Sequence, residues 1–373
     1  MWTGIDVLRE EGFTRLSGSR VGLVTNQTGR ARDGATTVDL LHDEPSVELV
    51  SLFSPEHGIQ GRLDGPVSAD RDPRTGLPIH SLYGDTRRPS ASTLQGLDTI
   101  VIDLQDVGAR FYTYATTMAY VLEAASEAGV RVMVLDRPNP IGGAVEGPAL
   151  DESLLGFTGY FPSPVRHGLT LGELARLFNT ERSIGADLEV VSVRGWRRGR
   201  WFDETGLPWV DPSPNLRNLH QALLYPGIGA IEGSNLSVGR GTDTPFEQIG
   251  APWIDGVRLA RELNELVLPG VRVYPVRFRP SSSRFAGEPC EGVFFVVTDR
   301  DQFRPVRFGL EVAAALLRLF GDRFELEAVV RLFGSASVVS RLRAGDATWE
   351  IAADWASDEA AWRRLVAPYL LYE

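Results

Sequence analysis

The hydrophobic positions in the first half of the chain alternate between short continuous apolar runs and longer stretches with helical spacing. Continuous runs of this length predict buried strands, and apolar residues three and four positions apart predict helices. The predicted strands cover residues 20–25, 47–53, 99–103, 131–136 and 188–193, and the predicted helices between them cover 36–41, 116–128 and 171–179. Such alternation predicts βαβ units and therefore an α/β fold with a doubly wound, mainly parallel sheet.

The pattern changes after residue 225, where a glycine-rich polar stretch is followed by fewer and longer elements. We expect a helix at 256–267, strands at 271–278 and 292–298, and helices at 306–319 and 358–369. A chain of 373 residues with 43% hydrophobic content suits two domains better than one. The predicted domains are 1–225, which carries the parallel sheet, and 226–373, a smaller α+β domain that borders a cleft.

Three predicted strands of the first domain end directly in a polar cluster. Residues 47–53 lead into S-P-E-H-G at 54–58, residues 99–102 lead into D-L-Q-D-V-G at 103–108, and residues 130–135 lead into D-R-P-N-P at 136–140. Ligands of open parallel sheets bind beyond the carboxyl ends of the strands. We therefore expect these clusters to converge on one active site.

A capping box marks the start of the predicted helix at 171–179. Thr170 is the expected N-cap and Glu173 stands three residues further along. Arg166 and His167 therefore lie just before a helix N-terminus, where free N–H groups favour an anion. A simple turn leading into the helix explains the same residues equally well.

Composition excludes several classes of function. A net charge of −11 and the lack of a basic stripe argue against nucleic-acid binding. The chain has no lysine, which excludes a Schiff base, and Cys290 is its only cysteine, which excludes an internal disulfide. The turn at 26–30 has no G-x-G-x-x-G, and no metal-binding motif is present, so we expect neither a cofactor nor a metal. The first residues do not resemble a signal peptide and no apolar run is long enough to span a bilayer, so a cytoplasmic protein without membrane contact is expected.

The strand ends instead supply carboxylates, amides and guanidinium groups, which suit cleavage of a glycosidic bond. That reaction needs an acid to protonate the leaving oxygen and polar groups to orient hydroxyls. Glu56 is the predicted general acid, because partial burial after an apolar strand would help to keep it protonated. Asp103 and Asp136 are the other catalytic candidates, although an aspartate at a strand end often caps the next turn. Arg110 and Tyr112 either contact a ligand or pack before a helix.

Taken together, the motifs resemble a known family. They are S-P-E-H-G, D-L-Q-D-V-G-x-R-x-Y-T-Y, L-D-R-P-N-P-x-G-G, R-H-G-x-T-x-G-E-L and E-G-S-N-x-S-x-G-R-G-T, and the similarity extends from about residue 21 to the C-terminus. This set resembles the NamZ-type exo-β-N-acetylmuramidases, glycoside hydrolase family 171. The resemblance implies a Rossmann-like N-terminal domain and removal of N-acetylmuramic acid (MurNAc) from the non-reducing end of peptidoglycan fragments, such as MurNAc β-1,4-linked to N-acetylglucosamine (GlcNAc). It also places the family's proposed catalytic glutamate at Glu56.

An enzyme of this kind must recognise the lactyl carboxylate of MurNAc, for which an arginine is the natural partner. Arg110, Arg166 and Arg240 are therefore the candidates. His167 and Asn235 are candidates for sugar hydroxyls or the acetamido group, and a buried histidine with its hydrogen bonds satisfied is an equal alternative for His167. The remaining predicted substrate-binding residues are Asn26, His57, Gln105, Asp106, Arg137, Asn139 and Glu232.

Two other functions compete with the glycosidase. A non-catalytic binding protein or sensor of muramyl sugars would keep the pocket without the reaction. A hydrolase acting elsewhere on the muropeptide, such as an amidase, is weakened because no convincing nucleophile or zinc set is present. The expected partners are peptidoglycan fragments or muropeptides, and the sequence predicts no oligomeric state. Members of the family are often exported, whereas this chain shows no signal peptide.

Overall fold

A computed structural model describes residues 1–62, 65, 70–84 and 86–373. Its strands are β1 (Arg20–Thr25), β2 (Glu48–Ser54), β3 (Asp70–Arg71), β4 (Pro78–Ser81), β5 (Thr99–Asp103), β6 (Arg131–Leu135), β7 (Glu146–Ala149), β8 (Pro164–Arg166), β9 (Leu188–Val191), β10 (Gln248–Ala251), β11 (Val271–Phe278) and β12 (Cys290–Val297).

The α-helices are α1 (Gly4–Glu10), α2 (Thr37–His42), α3 (Ala91–Leu94), α4 (Tyr114–Ala128), α5 (Leu171–Glu181), α6 (Leu219–Ile228), α7 (Gly256–Glu265), α8 (Pro305–Phe320), α9 (Val330–Phe333), α10 (Ala336–Ala344) and α11 (Thr348–Val366). Short 3-10 turns occupy Thr14–Leu16, Glu152–Leu154, Phe202–Glu204, Gly229–Ile231, Gly321–Arg323, Leu326–Val329 and Ala367–Tyr369. Within the described residues, no helix has the length and apolar character needed to cross a bilayer.

The first domain is built on a seven-stranded sheet with the order β3-β4-β2-β1-β5-β6-β9. All of its pairings are parallel except the one between β3 and β4. The chain moves outward from β1 to β2 and β4 and then returns to place β5 on the other side of β1. The strand order therefore reverses between β1 and β5, the position at which open α/β sheets bind ligands. The predicted doubly wound parallel sheet is confirmed.

Two hydrophobic layers cover this sheet because successive side chains of a strand point to opposite faces. Ile100 and Ile102 of β5 belong to the core that contains α4 and α5, whereas Val101 belongs to the core that contains α1 and α2. All five residues of β5 are buried, as expected for a central strand covered on both faces.

The second domain has a three-stranded antiparallel sheet with the order β10-β12-β11, together with α7 and α8. It packs closely on the first domain through α6 and α8. An ideal Cβ added to Gly227 of α6 would lie 1.9 Å from the Pro305 carbonyl oxygen at the start of α8. Glycine is therefore required at this crossing. The predicted boundary near Tyr225 falls inside α6, and the division into 1–225 and 226–373 stays a prediction.

The C-terminal helix α11 returns to the first domain and packs on β7. Two of its carboxylates accept hydrogen bonds from the backbone of that strand: Asp358 Oδ2 from Ala149 N at 3.2 Å and Glu359 Oε1 from Gly147 N at 3.3 Å. These bonds satisfy backbone donors of a short strand that would otherwise lack partners. The two halves of the chain are thus joined at more than one place.

The strongly periodic elements are confirmed, with shifts of a few residues at their ends. The predicted capping box of α5 is also present, since Thr170 Oγ1 accepts from Glu173 N at 3.3 Å and Glu173 Oε2 accepts from Thr170 N at 3.0 Å. The last helix is longer than predicted and begins at Thr348 rather than at residue 358. Short elements without a clear period were not predicted, among them α1, α3, α6, α9, α10, β3, β4, β7, β8 and β10.

A buried acid of β7 interacts with the N-terminus of α8. Glu146 Oε1 accepts from Arg307 N at 2.8 Å, and burial raises the pKa of this carboxyl to about 7. The folded protein therefore holds this proton more tightly than the unfolded chain, so the contribution of Glu146 to stability falls as pH rises through 7.

Glu146→Gln is expected to remove this pH dependence. In the unmutated protein, ionisation of Glu146 should lower the free energy of unfolding by about 2 kcal/mol between pH 5 and pH 7.5. Urea unfolding at several pH values should show a flatter profile for the variant. Glu325→Gln, which changes an exposed acid of the second domain, is the control and should keep the original profile. Parallel profiles for Glu146→Gln and the unmutated protein would contradict the assignment.

Candidate functional site

The largest cleft by volume among those described lies where the strand ends of the first domain face the second domain, and it encloses about 700 Å³. Such a volume is in the range of small-molecule sites. It is lined by Glu56, His57, Phe111, Tyr112, Thr113, Thr158, Ser213, Leu216, Tyr225, Glu232, Gly233, Arg240, Phe246, Ser282, Ser283, Arg331 and Leu332. Of the three predicted clusters, only the S-P-E-H-G turn after β2 lines the cleft. Residues 111–113, beyond the cluster that follows β5, line it as well, whereas no residue of 103–108 or 136–140 does.

Glu56 reaches the cleft from a tight turn that follows β2. His57 has a φ of 72° and Gly58 a φ of 75°, so two successive residues occupy the left-handed region. This conformation is costly for a residue with a side chain, and such strain is typical of functional sites. The turn is closed by a hydrogen bond from Gly58 N to the Pro55 carbonyl at 3.1 Å. Glu56 is partly exposed, as a proton donor to a ligand in the cleft must be.

Thr113 holds the Glu56 carboxyl in place. Its hydroxyl donates to Glu56 Oε2 at 2.6 Å, and although Thr113 is the N-cap of α4, its side chain makes no cap hydrogen bond to the helix. The backbone of Glu56 is held as well, because Tyr114 Oη lies 3.4 Å from the Glu56 carbonyl oxygen. Asn26 Nδ2 donates to the Tyr114 hydroxyl at 2.8 Å. The structure thus places the predicted ligand Asn26 behind Glu56.

Thr113→Val is expected to lower kcat about tenfold, equivalent to about 1.4 kcal/mol, because the Glu56 carboxyl loses the bond that orients it. Stability should hardly change, since the hydroxyl caps no helix. Thr170→Val is the matched control: its hydroxyl does cap α5, so it should cost about 1 kcal/mol of stability and leave kcat nearly unchanged. Steady-state kinetics and urea unfolding of both variants test this contrast, and equal effects on kcat would contradict it.

Four aromatic residues form an apolar wall of the cleft. The ring of Tyr225 packs against Phe111, Tyr112 and Phe246 with centroid distances of 5.0, 6.2 and 4.8 Å. The Tyr112 hydroxyl donates to the Pro212 carbonyl at 2.8 Å, while the Tyr225 hydroxyl makes no hydrogen bond to any residue that the structure describes. The rings meet at angles of 71 to 89°, so the wall is an uneven apolar surface that includes the Tyr225 phenol group.

The cleft also carries charged residues from the second domain. Arg240 forms a bidentate ion pair with Glu232, with Arg240 NH2 3.1 Å from Glu232 Oε2. The guanidinium of Arg240 also lies 5.3 Å from the centroid of the Phe246 ring. Glu232 and Glu56 are thus the two glutamates that line the cleft.

Asp103 and Asp136 do not line the cleft, and both are completely buried. Arg137 binds both oxygens of Asp103, with Nε to Oδ1 at 2.5 Å and NH2 to Oδ2 at 2.9 Å, and the Thr37 hydroxyl also donates to Oδ2. Asp136 joins α5 to the C-terminus.

The contacts of Asp136 explain this anchoring. Its oxygens accept from Gly172 N at 2.8 Å, from the Thr170 hydroxyl at 2.7 Å and from the Tyr372 hydroxyl at 2.5 Å. Burial raises its pKa to about 6. The structure therefore gives both aspartates the anchoring role that sequence reasoning had left open beside a catalytic one.

Other predicted ligands also lie behind the cleft. Gln105 and Arg137 line a separate pocket of about 30 Å³, which has room for about one water molecule. Asn139 is buried and bonds Leu169 O at 2.9 Å and Ile141 N at 3.1 Å. Asn235 bonds Arg323 O at 2.7 Å and Glu325 N at 3.0 Å. Their amides stabilise loops in this structure.

Asp106 and His167 form a buried pair beneath the site. Asp106 Oδ2 accepts from Gly108 N at 2.7 Å and lies 3.3 Å from His167 Nε2. The other ring nitrogen, Nδ1, accepts from Leu169 N at 3.1 Å, so the neutral imidazole carries its proton on the nitrogen that faces Asp106. Neither side chain lines the cleft.

Two of the three predicted carboxylate-binding arginines point elsewhere. The Arg110 guanidinium is buried and donates to four main-chain carbonyls, while Arg166 is buried, donates to the Ile141 carbonyl and lies 5.6 Å from the centroid of the Trp201 ring. Burial lowers the pKa of Arg110 to about 9 and that of Arg166 to about 10. Of the three, Arg240 alone lines the cleft.

Sequence reasoning missed most of the residues that line the cleft, among them Thr113, Tyr225 and Arg331. Thr113 follows the D-L-Q-D-V-G segment closely enough to have been considered. Tyr225 had been used only as a boundary marker. Arg331 lies more than 270 residues from Glu56 in a stretch without a motif, and only the folded structure brings the two together.

Comparisons with known proteins agree with this geometry. A family model described as "Exo-beta-N-acetylmuramidase NamZ, N-terminal" matches residues 21–220, and one described as "Exo-beta-N-acetylmuramidase NamZ, C-terminal" matches residues 223–372. The chain is 47% identical over 326 residues to the peptidoglycan beta-N-acetylmuramidase NamZ of Bacillus subtilis (strain 168), covering 87% of this chain and 79% of that protein.

Two solved structures are also similar, both of DUF1343 family proteins from Bacteroides fragilis. One is 37% identical with a TM-score of 0.92, and the other is 30% identical with a TM-score of 0.82. In both cases the match covers 100% of this chain and 99% of the other. The overall fold of this chain is therefore shared with these proteins.

Proposed function

The chain belongs to the NamZ family of exo-beta-N-acetylmuramidases, and we propose that it is a glycoside hydrolase that releases MurNAc from the non-reducing end of peptidoglycan fragments. The observation that carries the proposal is the placement of Glu56 in the cleft, with one carboxyl oxygen held by Thr113 at 2.6 Å. A carboxyl group fixed in this way beside an aromatic wall is suited to proton transfer to a bound sugar.

In the proposed reaction, Glu56 protonates the glycosidic oxygen while the bond to the anomeric carbon breaks. The positive charge that develops on the sugar requires a second group. Glu232 is the other glutamate that lines the cleft, so it is one candidate for stabilising that charge or directing water. The acetamido oxygen of the substrate is the other candidate. Asp103 and Asp136 lack access to the cleft and are better explained as anchors of Arg137 and α5.

The test is to incubate the purified protein with MurNAc-β-1,4-GlcNAc and to detect the two free sugars by mass spectrometry. The matched control is GlcNAc-β-1,4-MurNAc, in which MurNAc stands at the reducing end, and this disaccharide should remain intact. Cleavage of both would contradict exo-action on MurNAc. Tight binding of the first disaccharide without any release would favour the non-catalytic sensor instead.

Two further expectations remain proposals, namely a cytoplasmic location and a reaction that needs no metal ion or cofactor. A cytoplasmic location would suit recycling of imported muropeptide fragments. No cluster of three or more histidine, cysteine, aspartate or glutamate residues that could hold a metal ion is found in the described part of the chain. The proposed mechanism uses only side chains of this chain and the substrate.

A further inference from the structure

Arg331 is an arginine of the cleft whose charge has no partner among the residues that the structure describes. It belongs to the short helix α9 of the second domain, its side chain lines the cleft, and the residue is exposed. Across residues 1–62, 65, 70–84 and 86–373, it forms no ion pair or hydrogen bond through its guanidinium group. An arginine in a cleft has five donors suited to a planar anion, so an unpaired one is a candidate ligand site.

The other arginines near the site differ from Arg331 because their guanidinium groups already have partners. Arg240 lines the same cleft, but it is paired with Glu232. Arg110 and Arg166 are buried among main-chain carbonyls. A carboxylate of the substrate would have to displace these partners, whereas Arg331 can bind it directly.

The backbone that carries Arg331 is fixed in position. Arg110 NH2 donates to the carbonyls of Leu332 and Phe333 at 2.9 and 2.8 Å, directly after Arg331. Gly334 then ends α9 with a φ of 75°, and a Cβ there would lie 2.2 Å from Arg110 NH2. The helix is therefore held against the first domain, which reduces the entropy that Arg331 would lose on binding a ligand.

We propose that Arg331 binds the lactyl carboxylate of the substrate and so selects MurNAc over GlcNAc. This inference rests on the proposed function and assigns its substrate preference to one residue of the second domain. The two sugars differ by the lactyl ether, whose carboxylate is the only charged group of MurNAc. An arginine that meets it forms a charge-assisted and potentially bidentate contact, while the neutral GlcNAc gains nothing from the same group.

The experiment compares Arg331→Ala, Arg331→Lys and the unmutated protein on two substrates. One is 4-nitrophenyl β-MurNAc, and the other is the same compound with its lactyl carboxylate converted to a neutral methyl amide. Arg331→Ala should lower kcat/KM for the acid about 10- to 100-fold and change that for the amide less than threefold. Arg331→Lys should fall between, since lysine keeps the charge and loses the planar fork.

Arg284→Ala is the matched control. Arg284 is an exposed arginine that lines a neighbouring depression sharing Glu232 and Ser283 with the cleft. It should keep the preference for the acid. If Arg284→Ala loses this preference instead, or if Arg331→Ala slows both substrates equally, the assignment to Arg331 is overturned.

A binding measurement separates this inference from the proposed function. Calorimetry with free MurNAc and free GlcNAc should show that Arg331→Ala weakens MurNAc binding about 10- to 100-fold and leaves GlcNAc binding unchanged. A protein that hydrolyses neither substrate but shows this selective loss would refute the hydrolase and support the role of Arg331. If the unmutated protein hydrolyses MurNAc-β-1,4-GlcNAc and Arg331→Ala binds MurNAc unchanged, the hydrolase is supported and the role of Arg331 is refuted.

Discussion

Glu56→Gln is expected to lower kcat for MurNAc-β-1,4-GlcNAc about 100- to 10,000-fold, the usual contribution of a positioned general acid. Glutamine has nearly the same shape and its amide oxygen can still accept the Thr113 hydroxyl, which donates to Glu56 at 2.6 Å. The side chain should therefore stay in place. The variant lacks only the acidic proton, so substrate binding should change little.

The leaving group gives the sharpest test of this role. GlcNAc is a poor leaving group that needs protonation, whereas 4-nitrophenolate leaves without it. Glu56→Gln should therefore lower kcat much less for 4-nitrophenyl β-MurNAc than for the disaccharide. Glu48→Gln, at the exposed opposite end of the same strand, is the control and should retain full activity. An equal loss on both substrates would point to a role other than proton donation.

Glu56 was within reach of sequence reasoning because its position follows from local pattern. An apolar run predicts β2, a polar cluster follows it, and the carboxyl ends of parallel strands mark the site. The strand and the position of Glu56 at its end follow from adjacent residues, and the parallel sheet follows from the alternation of elements along the first domain. The same logic correctly predicted the capping box of α5, which is also a local feature.

The direction of a side chain at a strand end could not be predicted in the same way. Asp103 and Asp136 follow β5 and β6 as Glu56 follows β2, yet they turn toward Arg137 and toward the start of α5. Their partners lie 34 and 36 residues further along the chain. Which polar group meets which is decided by packing between distant segments, and single-sequence patterns carry little of that information.

The direction of the Arg110 side chain could not be predicted from the sequence either. The sequence predicts Arg110 as a substrate-binding residue, and its neighbours Phe111, Tyr112 and Thr113 do line the cleft. Its guanidinium group, however, faces the carbonyls of Pro148, Ser163, Leu332 and Phe333, which come from three separate parts of the chain. Arg331 is an arginine that does line the cleft, and Arg110 holds the backbone next to it.

Arg110→Met is expected to lower the free energy of unfolding by about 3–5 kcal/mol. Methionine fills part of the space but donates no hydrogen bond, so four carbonyls at the junction of the two domains lose their partner. Removal of the buried charge offsets part of this loss, because burial lowers the Arg110 pKa to about 9 against the opposing effect of Asp151. The unsatisfied carbonyls should nevertheless dominate, since each costs about 1–3 kcal/mol when left unpaired in a dry interior.

Urea unfolding measures the loss, and hydrogen exchange locates it. The amides of α9 and its flanking residues should exchange faster in Arg110→Met, while those of the central strand β5 should follow only the global change in stability. Arg343→Met is the control. It removes a surface arginine of α10 that pairs with Asp322 and Glu327, and it should lower the free energy of unfolding by less than about 1 kcal/mol. If the two variants were equally stable, the carbonyl contacts of Arg110 would not hold α9. If Arg110→Met also weakens MurNAc binding, loss of the fixed backbone at Arg331 explains how a residue outside the cleft affects its ligand.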